Sequence, residues 1–146
     1  MTQEELYNLK NLLLKDLCAR VPYGVKVQYM NNIFVIDYVS SYEEVKLDIP
    51  DNWTVGVSEV KPYLFPLSSM TDEQKSELNK KFTVQFSGND IYSIHYHSEG
   101  YWDTTDLELD FQDWLWFINW CYKNHFDIYG LIPMGLALDA TGLNIY

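Results

Sequence analysis

The chain has 146 residues, 47% of them hydrophobic and 16% aromatic, which suits one compact domain with a sizeable core. Its longest apolar run, Trp114 to Ile118, is far below the roughly 20 residues of a membrane span, and Met1-Thr2-Gln3-Glu4-Glu5 lacks the basic start and apolar stretch of a signal peptide, so a cytoplasmic protein is expected. The net charge of −11 is uneven: residues 90–146 hold 9 acids against the single base Lys123, and an acidic surface repels phosphates, which argues against direct DNA or RNA binding.

Thr2 and Glu5 make a capping box, and Leu6, Leu9, Leu13 and Leu17 share one helical stripe. They predict a first helix from about Gln3 to Arg20, ended by Pro22 and Gly24. From Val25 the period becomes two. Val25, Val27 and Tyr29 precede Asn31-Asn32, and Phe34, Ile36 and Tyr38 follow. A hairpin looping at Asn31-Asn32 would set Tyr29 opposite Phe34, Val27 opposite Ile36 and Val25 opposite Tyr38. Val45, Leu47 and Ile49, then Trp53, Val55 and Val57, continue the alternation and predict an antiparallel meander of three or four strands. Lys61-Pro62-Tyr63-Leu64-Phe65-Pro66 reads as an extended surface linker, because each proline biases its predecessor away from helix. Thr71 and Gln74 cap a second helix, about Asp72 to Phe82, with acids at its start and lysines at its end. Val84 and Phe86, then Tyr92, Ile94 and Tyr96, predict a second hairpin around Ser87-Gly88-Asn89-Asp90.

Leu107 to Tyr122 has the length of one helix and carries Trp114, Trp116 and Trp120. At 100° per residue, Leu107, Phe111, Trp114, Leu115, Ile118, Cys121 and Tyr122 gather on one broad face, with Leu109, Trp116 and Trp120 roughly opposite. The first face is expected on the sheet. The second is expected beneath the apolar tail Gly130 to Tyr146, an irregular segment or short last strand, or else against another chain. The expected fold class is α+β: an antiparallel β-meander with an N-terminal helix, a middle helix and a Trp-rich C-terminal helix packed on the sheet, in a single domain over residues 1–146.

Three patches carry a resemblance: Leu17-Cys18-Ala19-Arg20-Val21-Pro22-Tyr23-Gly24-Val25; Val60-Lys61-Pro62-Tyr63-Leu64 with Ser68-Ser69-Met70-Thr71; and Asn124-His125-Phe126-Asp127-Ile128-Tyr129-Gly130-Leu131-Ile132 with Gly135-Leu136-Ala137. Together they resemble a family of small proteins of no assigned activity encoded by gut Bacteroidales bacteria and their phages and mobile elements. The resemblance implies a genomic context. It carries no catalytic residue, cofactor or substrate.

No nucleophile elbow, Walker loop, Gly-rich dinucleotide turn or zinc-finger spacing is present, so no cofactor is expected and enzyme status has no positive support. His95 and His97 have the one metal-like spacing: positions i and i+2 of a strand share a face, where two imidazoles can hold Zn²⁺ or Fe²⁺ with Glu99, Asp103 or His125 as a third ligand. The commoner reading is a pair of solvent-facing strand histidines. His125 and Asp127 can form an acid/base pair, although the end of a helix explains both without chemistry. Cys18 and Cys121 read as two reduced core thiols. For binding, Tyr101 and Trp102 follow Gly100 in a loop and offer exposed rings, Trp116 and Trp120 offer anchors, and Asp103, Asp106, Glu108, Asp110 and Asp113 offer a charged rim. These point to an accessory protein that binds a host protein, with a homo-oligomer, a metal-dependent enzyme on His95 and His97, and an acidic DNA mimic as the alternatives.

Overall fold

A computed structural model describes residues 1–51, 53–87, 90–96 and 111–146, with 83–87 and 90–96 described as backbone. Its elements in chain order are α1 (Gln3–Arg20), β1 (Lys26–Tyr29), β2 (Asn32–Val39), β3 (Glu44–Leu47), β4 (Thr54–Gly56), β5 (Lys61–Leu64), α2 (Asp72–Asn79), β6 (Phe82–Ser87), β7 (Asp90–Tyr96), α3 (Phe111–Lys123) and β8 (Leu138–Asp139). The fold is α+β. Where composition suits one domain, the chain forms two compact units, Met1–Leu64 with Tyr129–Tyr146, and Phe65–Ile128.

The first unit is a six-stranded sheet in the order β4-β3-β2-β1-β5-β8 with α1. The capping box that starts α1 forms as expected: Thr2 Oγ1 accepts from the Glu5 N–H at 3.1 Å, and the Glu5 carboxylate accepts from the Thr2 N–H at 2.6 Å. Leu13 and Leu17 enter the core, while Leu6, a turn from the start, stays exposed. Inward strand positions supply Val27, Ile36, Val45, Leu47 and Val55 to the same cluster, and Leu131 and Ala137 join from the tail. The meander β1 to β4 is antiparallel, but β8 pairs with β5 in parallel, so the sheet is mixed. The second unit is the stretch of chain between those two parallel strands, which a parallel pair requires to be long.

Two sequence expectations shift here. The first hairpin turns at Met30-Asn31, both at left-handed φ (47° and 65°), so Tyr29 pairs with Asn32 and Val27 with Phe34. A two-residue loop with positive φ at both positions matches the twist of the strands. The slip is by two residues, which keeps Val27, Phe34 and Ile36 on their expected face. Tyr38, expected on that face, is exposed beyond a register irregularity after Ile36, and Val39 packs on the core instead. The supposed linker Lys61–Leu64 is β5, an interior strand between β1 and β8 with Pro62, Tyr63 and Leu64 buried. Its pairing partners lie about 35 and 75 residues away along the chain, beyond the reach of any local signal.

The first unit also buries charge. Asp16 and Arg20, one helical turn apart, are both fully buried and joined by two hydrogen bonds, Nε to Oδ2 at 2.8 Å and Nη2 to Oδ1 at 3.0 Å. Lys46 is buried on β3, its ammonium donating to the carbonyls of Leu47 at 2.6 Å and Ile49 at 2.9 Å. A buried ion survives only with such partners.

In the second unit, Thr71 and Gln74 cap α2 reciprocally, at 3.2 and 2.9 Å. The helix stops at Asn79, and Phe82 opens β6, which pairs antiparallel with β7 from Phe82↔Tyr96 to Ser87↔Asp90. The second hairpin is thus as expected. Ser69 sits in a 3-10 turn with its hydroxyl donating to the Pro66 carbonyl at 2.7 Å, which is loop chemistry. Leu67, Met70, Leu78, Phe82, Phe117, Trp120, Cys121 and Phe126 form this unit's core. Neither cysteine forms a disulfide; Cys121 is buried as expected, but Cys18 is exposed on α1.

Candidate functional site

Helix α3, FQDWLWFINWCYK, is apolar on two sides. One side enters the second unit's core. Phe117 is fully buried, Trp120 is 5% exposed and lies nearly parallel to the Phe126 ring (centroids 5.7 Å apart, 20°), and Cys121 sits beside them. Trp116, at the margin, meets Phe82 at 5.6 Å and lies under the Lys81 ammonium at 4.7 Å. Lys81 also reaches the Asp113 carboxylate at 3.5 Å. That contact puts a lysine between a ring and an acid in the first turn, where the helix dipole favours negative charge.

The other side faces water. Phe111 is 79% exposed, Trp114 43% and Leu115 48%, and Ile118 is half-buried and packs against the second unit's core. Positions 111, 114, 115 and 118 follow the i, i+3, i+4, i+7 rule and so form one stripe along the first two turns. Trp114 is steadied by an edge contact with Phe117 (6.3 Å, 76°). The stripe ends where Tyr122 becomes buried. Single scattered apolar side chains are ordinary on a surface, whereas these lie in one row.

The end of α3 explains His125 and Asp127. His125 has left-handed φ (62°); its N–H donates to the Tyr122 carbonyl at 3.0 Å, and the Phe126 N–H donates to the Cys121 carbonyl at 2.9 Å. This is a Schellman closure, and the Trp120–Phe126 stack is the apolar contact that accompanies it. The Phe65 N–H donates to the His125 carbonyl, and the Asp127 N–H to the Phe65 carbonyl, both at 2.8 Å. The two residues therefore flank a backbone bridge, in keeping with a structural role.

The faces of α3 expected from the sequence hold for Cys121 and Tyr122, which are buried, and are reversed over the first turns and at Trp120. Phe111, Trp114 and Leu115, assigned to the sheet, are exposed; Trp120, offered as a free anchor, is in the core, and Trp116 is packed on Phe82. The deciding residue is Phe117, which belongs to neither expected face: it lies on the Trp120 side, and burying Phe117, Trp120 and Cys121 together commits that side to the interior. The tail's apolar residues Leu131 and Ala137 belong to the first unit's core. Tyr101, Trp102, Asp103, Asp106 and His97 lie outside the described residues, and His95 is described as backbone, paired with Thr83. Among the described residues no group of three or more His, Cys, Asp or Glu side chains could hold a metal ion, and no helix is long and apolar enough to cross a membrane.

No family model matches the chain, and neither a curated protein nor a solved structure shows detectable similarity to it.

Proposed function

We propose that the protein is a small interaction protein of the accessory kind carried by phages and mobile elements, and that it binds a host protein by laying the outward stripe of α3 into an apolar groove. The observation that carries this reading is the exposed row Phe111, Trp114, Leu115 with Ile118, whose spacing is that of helices recognised in grooves. The resemblance of its three sequence patches to gut Bacteroidales and phage-associated proteins favours the host context.

Charge favours a different protein over a second copy. Five acids lie between Asp103 and Asp113, and residues 90–146 hold a single base, so two copies would bring like charge together at this helix. A groove rimmed by lysine or arginine gains from the same charge, mostly in association rate and selectivity.

The test starts from capture of a partner by the tagged full chain in host lysate, followed by titration of that purified partner. Changing Phe111, Trp114 and Leu115 together to Ala should raise Kd by at least about 30-fold, which is about 2 kcal/mol, as for a hot-spot cluster. Asn119→Ala on the same helix should leave Kd unchanged. Because the three side chains are exposed, far-ultraviolet circular dichroism of the triple variant should match the parent. A captured partner that binds the triple variant as tightly as the parent would refute the reading.

A further inference from the structure

The β1–β5 ladder is short, with Val27 opposite Pro62 and Gln28 opposite Lys61. Where it stops, a side chain from far along the chain replaces it. The Lys26 N–H donates to the Tyr146 hydroxyl at 2.9 Å, and that hydroxyl donates to the Tyr63 carbonyl at 2.7 Å. One phenol oxygen thus spans two parting strands, acting as acceptor to one and donor to the other. The Lys26 ammonium returns the contact, donating to the Ile145 carbonyl and lying 5.6 Å from the Tyr146 ring centroid.

The segment leading to this contact is lightly held. Ala140 is buried, and its N–H donates to the Leu64 carbonyl at 2.8 Å, but residues 141–144 are all exposed. Asn144 adopts left-handed φ (52°), uncommon for a residue with a side chain. Segments with few buried contacts and exposed backbone open at low free-energy cost, ahead of the core.

We infer that residues 143–146 are a hydroxyl clasp on the β1–β5 seam, which opens and closes as a local unit while the rest of the first unit stays folded. Opening leaves the Lys26 N–H and the Tyr63 C=O facing an empty seat the size of one hydroxyl or one water. Those backbone groups can accept a solvent molecule there, so the open form is tolerated and not a step to global unfolding.

Amide hydrogen exchange of the full chain, followed residue by residue with and without low denaturant, tests the clasp. The Lys26 amide should exchange faster than those of Asp48 and Val57, which donate to Val35 and Glu43 across the sheet, and its rate should hardly depend on denaturant. Tyr146→Phe should speed exchange at Lys26 by about tenfold and leave Asp48 and Val57 within a factor of about two, the scale of one lost hydrogen bond. Lys26→Met keeps the backbone donor but removes the ammonium's hold on Ile145, and should speed exchange at that position several-fold. Exchange at Lys26 that tracks Asp48 and Val57 across denaturant would overturn the clasp. So would a Tyr146→Phe variant in which Lys26 exchanges at the parent rate.

Discussion

The two units differ in how they arrange buried charge and exposed rings. The six-stranded unit buries Asp16, Arg20 and Lys46, all hydrogen-bonded, and exposes large side chains such as Tyr42 and Trp53 at scattered positions, whereas the second unit buries Asp127 and sets Phe111, Trp114 and Leu115 in one exposed row on a helix. Buried charge, once paired, punishes the loss of either partner and so holds a core to one arrangement. Exposed rings add little to folding and are free to contribute to binding. The difference sets a core held by several paired charges beside an apolar surface row within one short chain, and point variants test it.

The largest effect should come from Asp16→Ala. It leaves the Arg20 guanidinium buried without its carboxylate and should cost about 3–5 kcal/mol in urea unfolding. Replacing both, as Asp16→Leu with Arg20→Met, should recover most of that loss. If Asp16→Ala alone proves mild, the buried pair does not fix the scaffold. In the second unit, Phe117→Ala should cost about 3–5 kcal/mol by leaving a cavity in the core.

Tyr146→Phe should cost about 1 kcal/mol near neutral pH. Burial, partly countered by the Lys26 hydrogen bond and the Arg20 charge, raises the Tyr146 phenol from 10.0 to about 12. The folded chain then holds this proton more tightly than the unfolded chain does. Its stabilising contribution is therefore whole below pH 10 and is lost as pH rises from 10 to 12. Parent and Tyr146→Phe stabilities, measured by urea unfolding at stepped pH, should converge across that window. The smallest effect should be Phe111→Ala, within about 0.5 kcal/mol, because the ring already lies in water. A large loss there would erase the distinction between the two sides of α3.

What could be read from sequence was what neighbours along the chain decide. The bounds of α1, both capping boxes and the second hairpin follow from local chemistry, and the inward row of the meander follows from alternation. Long-range choices were not readable in this way. Met30 carries no mark of a left-handed turn residue, so the first loop was expected one position late. Pro62 and Pro66 disguised β5, whose strand character comes from partners on both sides. Alternation also treats Lys46 as outward and the stripe of α1 as apolar, and so misses the burial of Asp16, Arg20 and Lys46. At α3 the helix was legible, but its inward side was not. Phe111, Trp114, Leu115 and Ile118 make as good an apolar stripe as the buried one, and only packing around Phe117 chooses between them.

The contrast between the thiols supplies a reporter that needs no engineering. Cys18 stands exposed on α1, and Cys121 is shut inside the second unit's core beside Trp120. A small alkylating reagent should therefore modify Cys18 at once, and Cys121 only as often as its surroundings open. Counting adducts by mass over time would turn the slow second addition into a clock for the opening of the unit that presents the α3 stripe.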